Sequence, residues 1–308
     1  MGNLTKVTTF FLTRVSDYPQ ILYTLFSFFL IIYSMTVILN VLIIFLAMWD
    51  PKLHTPMYFF LGNLAFLDIS FSSVTAPRMI YDLITTGNVI SFPACMTQVF
   101  FFIYFPTCEI FLLAAMSYDR YVAVCHPLHY TQIMSWKVCA QLVSVVWTFS
   151  LLYSLIHSLC TLRLTFCNYN TIHNFLCDLP HLFQISCTDT YMNVLVILIL
   201  GGGLGILAFS ITFLPYMRIF LALIRIKTNY GKRKAFSTCT SHLAVVFLFY
   251  GSIVFIYFVP STSYMFTVNK VVSVNYAIIN PLLNPLIYSV RNQDLKAALR
   301  RFLSYRSF

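Results

Sequence analysis

Charge is what this chain has least of. Only 9% of its 308 residues are Asp, Glu, Lys or Arg, against about 25% in an ordinary soluble domain, so it cannot present a hydrated surface on every side. Carboxylates are the scarcer half, nine Asp and Glu against nineteen Lys and Arg. Segments of about ten residues with alternating polarity are missing, which excludes a barrel and leaves helices as the spanning structure. No repeat of roughly 20 to 50 residues and no Gly/Ser-rich linker interrupts the chain. The inverted repeats, midplane breaks and lines of charge expected of a transporter are also missing. An enzyme would need a nucleophile with a base or clustered metal ligands; His157, the histidine deep in an apolar run, has no partner nearby in sequence.

What the chain has instead is apolar length: 59% hydrophobic residues and a mean hydropathy of +0.81. Runs of the roughly 20 residues needed to cross a hydrocarbon core fall at about Leu22–Met48, Met57–Ile80, Val99–Met116, Val138–Leu162, Val194–Ile224, Phe236–Pro260 and Val271–Ser289. The expected fold is an all-α membrane protein, a seven-helix bundle over residues 22–290, with a tail at 1–21 and a second tail at 291–308. Arg291 to Arg306 reads as a short basic amphipathic helix with Leu295, Leu299 and Phe302 on one face.

Basic residues orient the bundle. With the N-terminus outside, Lys52, Arg120, Lys137, Arg218, Arg225, Lys227, Lys232, Arg233, Lys234, Arg291, Lys296, Arg300, Arg301 and Arg306 face the cytoplasm and only Lys6, Arg14, Arg78, Arg163 and Lys270 lie outside. This distribution obeys the positive-inside rule, and it assigns the net charge of +10 to anionic lipid rather than nucleic acid. Met1–Gln20 lacks a cleavable signal, so the first helix is expected to act as a signal anchor. Asn3-Leu4-Thr5 is a glycosylation acceptor on the same outer side. The long connection from about Arg163 to Asn193 carries Cys167, Cys177 and Cys187, with Cys95 before the third helix. Four cysteines in an oxidising compartment allow three pairings, and spacing does not choose among them. Cys108, Cys125, Cys139, Cys160 and Cys239 are expected to be free thiols.

Motifs then narrow the reading. The third helix ends on Met116-Ser117-Tyr118-Asp119-Arg120-Tyr121-Val122-Ala123-Val124-Cys125; the second opens with Pro56-Met57-Tyr58 and carries Leu61, Leu64 and Asp68. Lys234-Ala235-Phe236-Ser237-Thr238-Cys239 and Ser241-His242-Leu243 open the sixth helix, and Pro281-Leu282-Leu283-Asn284-Pro285-Leu286-Ile287-Tyr288-Ser289 closes the seventh. In this order the motifs resemble the olfactory receptor family of rhodopsin-like G protein-coupled receptors across the whole chain. Phe249-Tyr250-Gly251, standing where most rhodopsin-like relatives carry Cys-Trp-x-Pro, is itself typical of that family. Leu39, Pro106 and Pro215 depart from its pattern.

The resemblance implies receptors that bind small, mostly apolar odorants outside, activate a stimulatory olfactory-type G protein inside and raise cyclic AMP at the plasma membrane. It places coupling and activation at Asp119, Arg120, Tyr121, Tyr216, Lys232, Arg233, Lys234, His242, Asn284, Pro285 and Tyr288. An ion pair between Asp119 and Arg120 at the membrane boundary would hold the arginine until activation frees it. Asn284-Pro285 removes a backbone hydrogen bond and makes a hinge. Asp68 and Glu109, carboxylates deep in the spans, are expected to share a proton or a sodium ion, or to sit in a static polar network. No other cofactor is called for.

The expected ligand set, from motif placement of helices 3, 5, 6 and 7, is Phe102, Ile103, Pro106, Thr107, Leu200, Leu204, Tyr250, Ile253, Tyr257, Val274 and Ala277. It contains no carboxylate, which disfavours an amine ligand; a peptide or lipid receptor of the same superfamily is the alternative reading. The resemblance also implies disulfides Cys95–Cys177 and Cys167–Cys187, the first tying the long loop down as a lid.

Overall fold

The structure is a computed structural model describing residues 7–14, 18–85, 87–167, 170–225, 229–258 and 266–305. The main helices are α1 (Pro19–Trp49), α2 (Pro56–Ile84), α3 (Phe92–Cys125) and α4 (Trp136–Leu162). Three pieces, Tyr191–Val196, the π-helical Ile197–Gly202 and Gly203–Arg225, run on as α5. Then come α6 (Asn229–Phe258) and α7, which joins Phe266–Val274, the π-helical Asn275–Ile279 and Asn280–Arg291. The last helix is α8 (Gln293–Tyr305). Six of the spans are long and apolar enough to cross a membrane, and α6 adds a shorter apolar stretch, His242–Ile256. The fold is the seven-helix bundle expected.

Helix starts follow local chemistry. Proline opens α1 and α2, where its missing N–H costs nothing. Ser91 and Ser135 cap α3 and α4 by accepting from Ala94 N and Val138 N. Interior prolines do not end their helices. Pro106 sits inside a continuous α3, and the Thr107 hydroxyl one residue on donates to Ile103 O at 2.7 Å; neighbouring hydroxyls of this kind re-satisfy carbonyls near a proline. Pro215 is likewise carried within α5.

The glycine run at 201–203 does not break α5. Its first two members close a π-helical turn, a widened geometry frequent at functional sites. Hydrophobic burial gives little drive for association between helices in lipid, so polar groups stitch them together. Asn40 Nδ2 of α1 donates to Pro281 O of α7, Ser117 Oγ of α3 to Thr212 O of α5, and Ser154 Oγ of α4 to Phe100 O of α3.

One end of the bundle carries a three-stranded sheet of β1 (Thr9–Leu12), β2 (Val89–Ser91) and β3 (Thr171–Ile172), in the order β2-β1-β3. β1 pairs antiparallel with β2 and parallel with β3. Part of the segment expected to be a tail is therefore structured: Phe10 and Leu12 are buried on one face of β1. At the other end α8 folds back, and its apolar face meets protein. Phe302 packs 5.2 and 5.5 Å from Phe45 and Trp49 of α1, and Arg301 pairs with Asp50.

Candidate functional site

Beneath the sheet the helices enclose a cavity of about 410 Å³, within the range of small-molecule sites. From the expected set, Phe102, Ile103, Pro106, Thr107, Leu204, Tyr250 and Ile253 line it. Leu200, Val274 and Ala277 do not. Leu200 is displaced because the π turn gives the wall to Gly201 and Gly202; Val274 packs into the core, and Ala277 is fully buried, its carbonyl facing Thr75 Oγ1 of α2 at 3.5 Å. The Tyr257 side chain lies outside the described residues.

The wall that motif placement missed is α4. Tyr153 and His157, four residues apart and so on one helix face, line the cavity with ring centroids 4.5 Å apart. They face the α5 glycines: a Cβ at Gly201 would stand 3.0 Å from the Tyr153 hydroxyl oxygen, whereas one at Gly202 would meet nothing within 4 Å. Tyr276 of α7 and Leu179 of the long loop complete the enclosure, and among the described residues no carboxylate and no Lys or Arg lines it.

The roof is pinned from several directions. Disulfides join Cys95 to Cys177 and Cys167 to Cys187. Cys177 N donates to Gln98 Oε1 at 2.8 Å, while Gln98 Nε2 donates to Val74 O at 3.3 Å, so one α3 side chain ties the loop to α2. Leu179 follows directly and opens the short helix Leu179–Gln184. On that helix His181 is buried, and burial, aided by His173 and Lys270, pulls its imidazole down to about 4.

Below the cavity is a polar node. Asn284 Nδ2 of α7 donates to Asp68 Oδ1 of α2 at 2.8 Å and to Glu109 Oε1 of α3 at 3.1 Å. Both carboxylates are almost fully buried, and Asp68 Oδ2 has no hydrogen-bond partner. A single amide therefore holds three helices together beside Pro285, the interior proline of the segment Asn280–Arg291.

This architecture has known counterparts. Squid rhodopsin superposes with a TM-score of 0.69 at 22% identity, covering 94% of this chain and 87% of that one, which establishes a shared fold. The olfactory receptor family model matches residues 29–306. Olfactory receptor 1G1 of Gorilla gorilla gorilla is 45% identical over 99% of this chain and 97% of its own length, and olfactory receptor 8U8 of Homo sapiens is 44% identical over 99% and 96%. The chain belongs to the olfactory receptor family. Members of that family are multi-pass membrane receptors, not enzymes.

In this olfactory receptor the end opposite the sheet gathers most of the remaining motif residues. Arg120 Nε donates to Asp119 Oδ2 at 3.0 Å, and Tyr130 donates its hydroxyl to Asp119 Oδ1 at 2.7 Å. Burial and the adjacent Asp119 charge push the Tyr130 phenol up from its usual range, so it stays a donor. Tyr216 of α5 bonds His242 Nδ1 of α6 and stacks on its ring. Tyr288 stands 6.5 Å from His242, centroid to centroid, with its hydroxyl and His242 Nε2 both buried and without partners. His242 thus stands between Tyr216 and Tyr288, two of the residues the resemblance assigns to activation. Tyr121 is turned aside, toward His126 Nε2 at 3.2 Å. The side chains of Lys232, Arg233 and Lys234 lie outside the described ones, as does Asn3 altogether.

Proposed function

We propose that the chain is an odorant receptor of the plasma membrane, with its N-terminus and sheet outside, that binds small, mostly apolar volatile molecules in the cavity beneath the sheet. Occupancy activates a heterotrimeric G protein of the stimulatory olfactory type and raises cyclic AMP. The observation that carries this reading is the cavity: about 410 Å³, lined mostly by apolar and aromatic side chains, with no carboxylate among the described residues, and roofed by a disulfide-anchored loop. Such a site discriminates by shape and by a few polar contacts. The distribution of Lys and Arg supports the orientation.

The path from ligand to G protein follows the side chains. Tyr276 borders the cavity and belongs to α7, the helix that carries Asn284, so a ligand that shifts the upper part of α7 loads the Asp68–Glu109 node. The oxygen-rich pair suits a proton or a sodium ion, at the otherwise unpartnered Asp68 Oδ2; bound there, either neutralises charge that the helices would otherwise bury. Movement of α6 away from α5 breaks the Tyr216–His242 bond and opens the ground beside Arg120. Released from Asp119, the arginine meets the G protein.

The test is cyclic AMP in cells that carry the receptor with a stimulatory olfactory-type G protein, screened against volatile odorants beside Arg120→Ala. A response abolished by the substitution at equal surface expression supports the reading. Activation by peptides or lipids where no volatile compound acts contradicts it.

A further inference from the structure

The α4 wall holds a polar group that the reading above does not use. Four residues that line the cavity carry a hydroxyl, Thr107, Tyr153, Tyr250 and Tyr276, and two of these hydroxyls are already engaged. Thr107 donates to Ile103 O at 2.7 Å, and Tyr250 faces Thr212 Oγ1 at 3.5 Å; the Thr212 proton goes to Ala208 O, so the Tyr250 proton is the one shared. Both can accept a hydrogen bond from a ligand, but neither has a proton left to give. His157 differs. Its side chain is 4% exposed, lines the cavity, and carries an Nε2 that makes no hydrogen bond. An imidazole offers an N–H and an acceptor nitrogen, and its terminal torsion is broad enough to turn either toward the cavity. A buried polar nitrogen without a partner favours any ligand that supplies one.

We propose that His157 is the hydrogen-bonding anchor for carbonyl ligands, so that the receptor takes apolar aldehydes, ketones or esters through an N–H donated to the carbonyl oxygen. A carbonyl has no proton to give, so Thr107 and Tyr250 cannot hold it. An alcohol has one, and it retains those two acceptors when His157 is removed. Amines and carboxylates are disfavoured because the described residues of the lining include neither a carboxylate nor a Lys or Arg. Tyr153, tilted against His157 with ring centroids 4.5 Å apart and its hydroxyl close to Gly201, sets the ring's position.

The proposal rests on the cavity being the odorant site, and its test separates the two. The full-length receptor in lipid nanodiscs is titrated with straight-chain aldehydes and 2-ketones of roughly six to twelve carbons and with the matching alcohols, sizes that such a cavity admits. Binding is read from the ligand-dependent rise in unfolding temperature, which needs no G protein. His157→Phe is expected to weaken carbonyl binding about tenfold or more, while alcohols change less than about threefold. His157→Gln, which keeps an N–H donor, is expected to retain most carbonyl binding, and Tyr153→Phe to leave the carbonyl-to-alcohol ratio unchanged. Should His157→Phe fail to fold, His157→Leu makes the same comparison. Equal carbonyl binding by wild type and either apolar variant, or a His157→Gln as impaired as those variants, overturns the proposal and leaves the cavity reading standing. Wild type stabilised by none of these compounds overturns both.

Discussion

Replacing Asn284 by alanine removes the one amide that donates to both Asp68 and Glu109, at 2.8 and 3.1 Å. Neither carboxylate can turn to water, because they are 1% and 4% exposed. In a soluble core each abandoned acceptor costs about 1–3 kcal/mol, yet side-chain hydrogen bonds between membrane helices average only about 0.6 kcal/mol. The node lies inside the bundle, walled by α2, α3 and α7, so the soluble figure governs its acceptors and the membrane figure sets the floor. A loss of about 1–4 kcal/mol is expected. At roughly 2–4 °C per kcal/mol for a large domain, unfolding of Asn284→Ala in detergent falls by several degrees. The decisive comparison is the cycle with Asp68→Asn and Glu109→Gln together. With the carboxylates replaced by amides that can bond each other, Asn284→Ala should cost less than half as much. An equal cost in both backgrounds would refute the node as the origin of the effect.

Further outcomes follow from other contacts. Arg301→Ala should destabilise more than an exposed pair would, by about 1–2 kcal/mol, because it leaves a buried Asp50 whose carboxyl burial disfavours and whose bonds from Arg301 and Lys52 N hold below its usual range; thermal unfolding measures it. Tyr216→Phe removes the bond to His242 and is expected to raise basal cyclic AMP, since that bond ties α5 to α6 at that level; unchanged basal signal at equal surface expression counts against the switch. His181 binds a proton in the unfolded chain near its ordinary value and in the folded loop only near 4. Its contribution is intact above about pH 6.5 and is lost as pH falls toward 4, on the order of 3 kcal/mol in all. His181→Phe should flatten that part of the pH–stability curve.

Hydropathy and motif spacing revealed the bundle, the Asp-Arg-Tyr end and the acidic node, because long apolar runs and scarce polar residues stand out against each other. The pairing of the four cysteines needed the family resemblance, and the structure contains both implied bonds. Three features were harder to read. The strand Thr9–Leu12 has a local signal, since Thr-Phe-Phe-Leu is rich in β-formers, but four residues beside so many apolar helices do not stand out from a tail. The π turns of α5 and α7 insert a residue into the helical register, so positions counted from the motifs drift, which is why Leu200 gave way to Gly201 and Gly202. The contribution of α4 had no periodic signature; one histidine in an apolar run acquires meaning only when the π turn of α5 stands opposite it.

The most direct test of the cavity as the odorant site is Gly202→Phe. Gly202 lines the cavity, and a Cβ there meets nothing within 4 Å, so the ring can enter the space without first displacing backbone. Cyclic AMP responses to the odorants that activate the wild type should disappear while surface expression and basal signal persist. Undiminished odorant responses in Gly202→Phe would place the ligand elsewhere on the receptor.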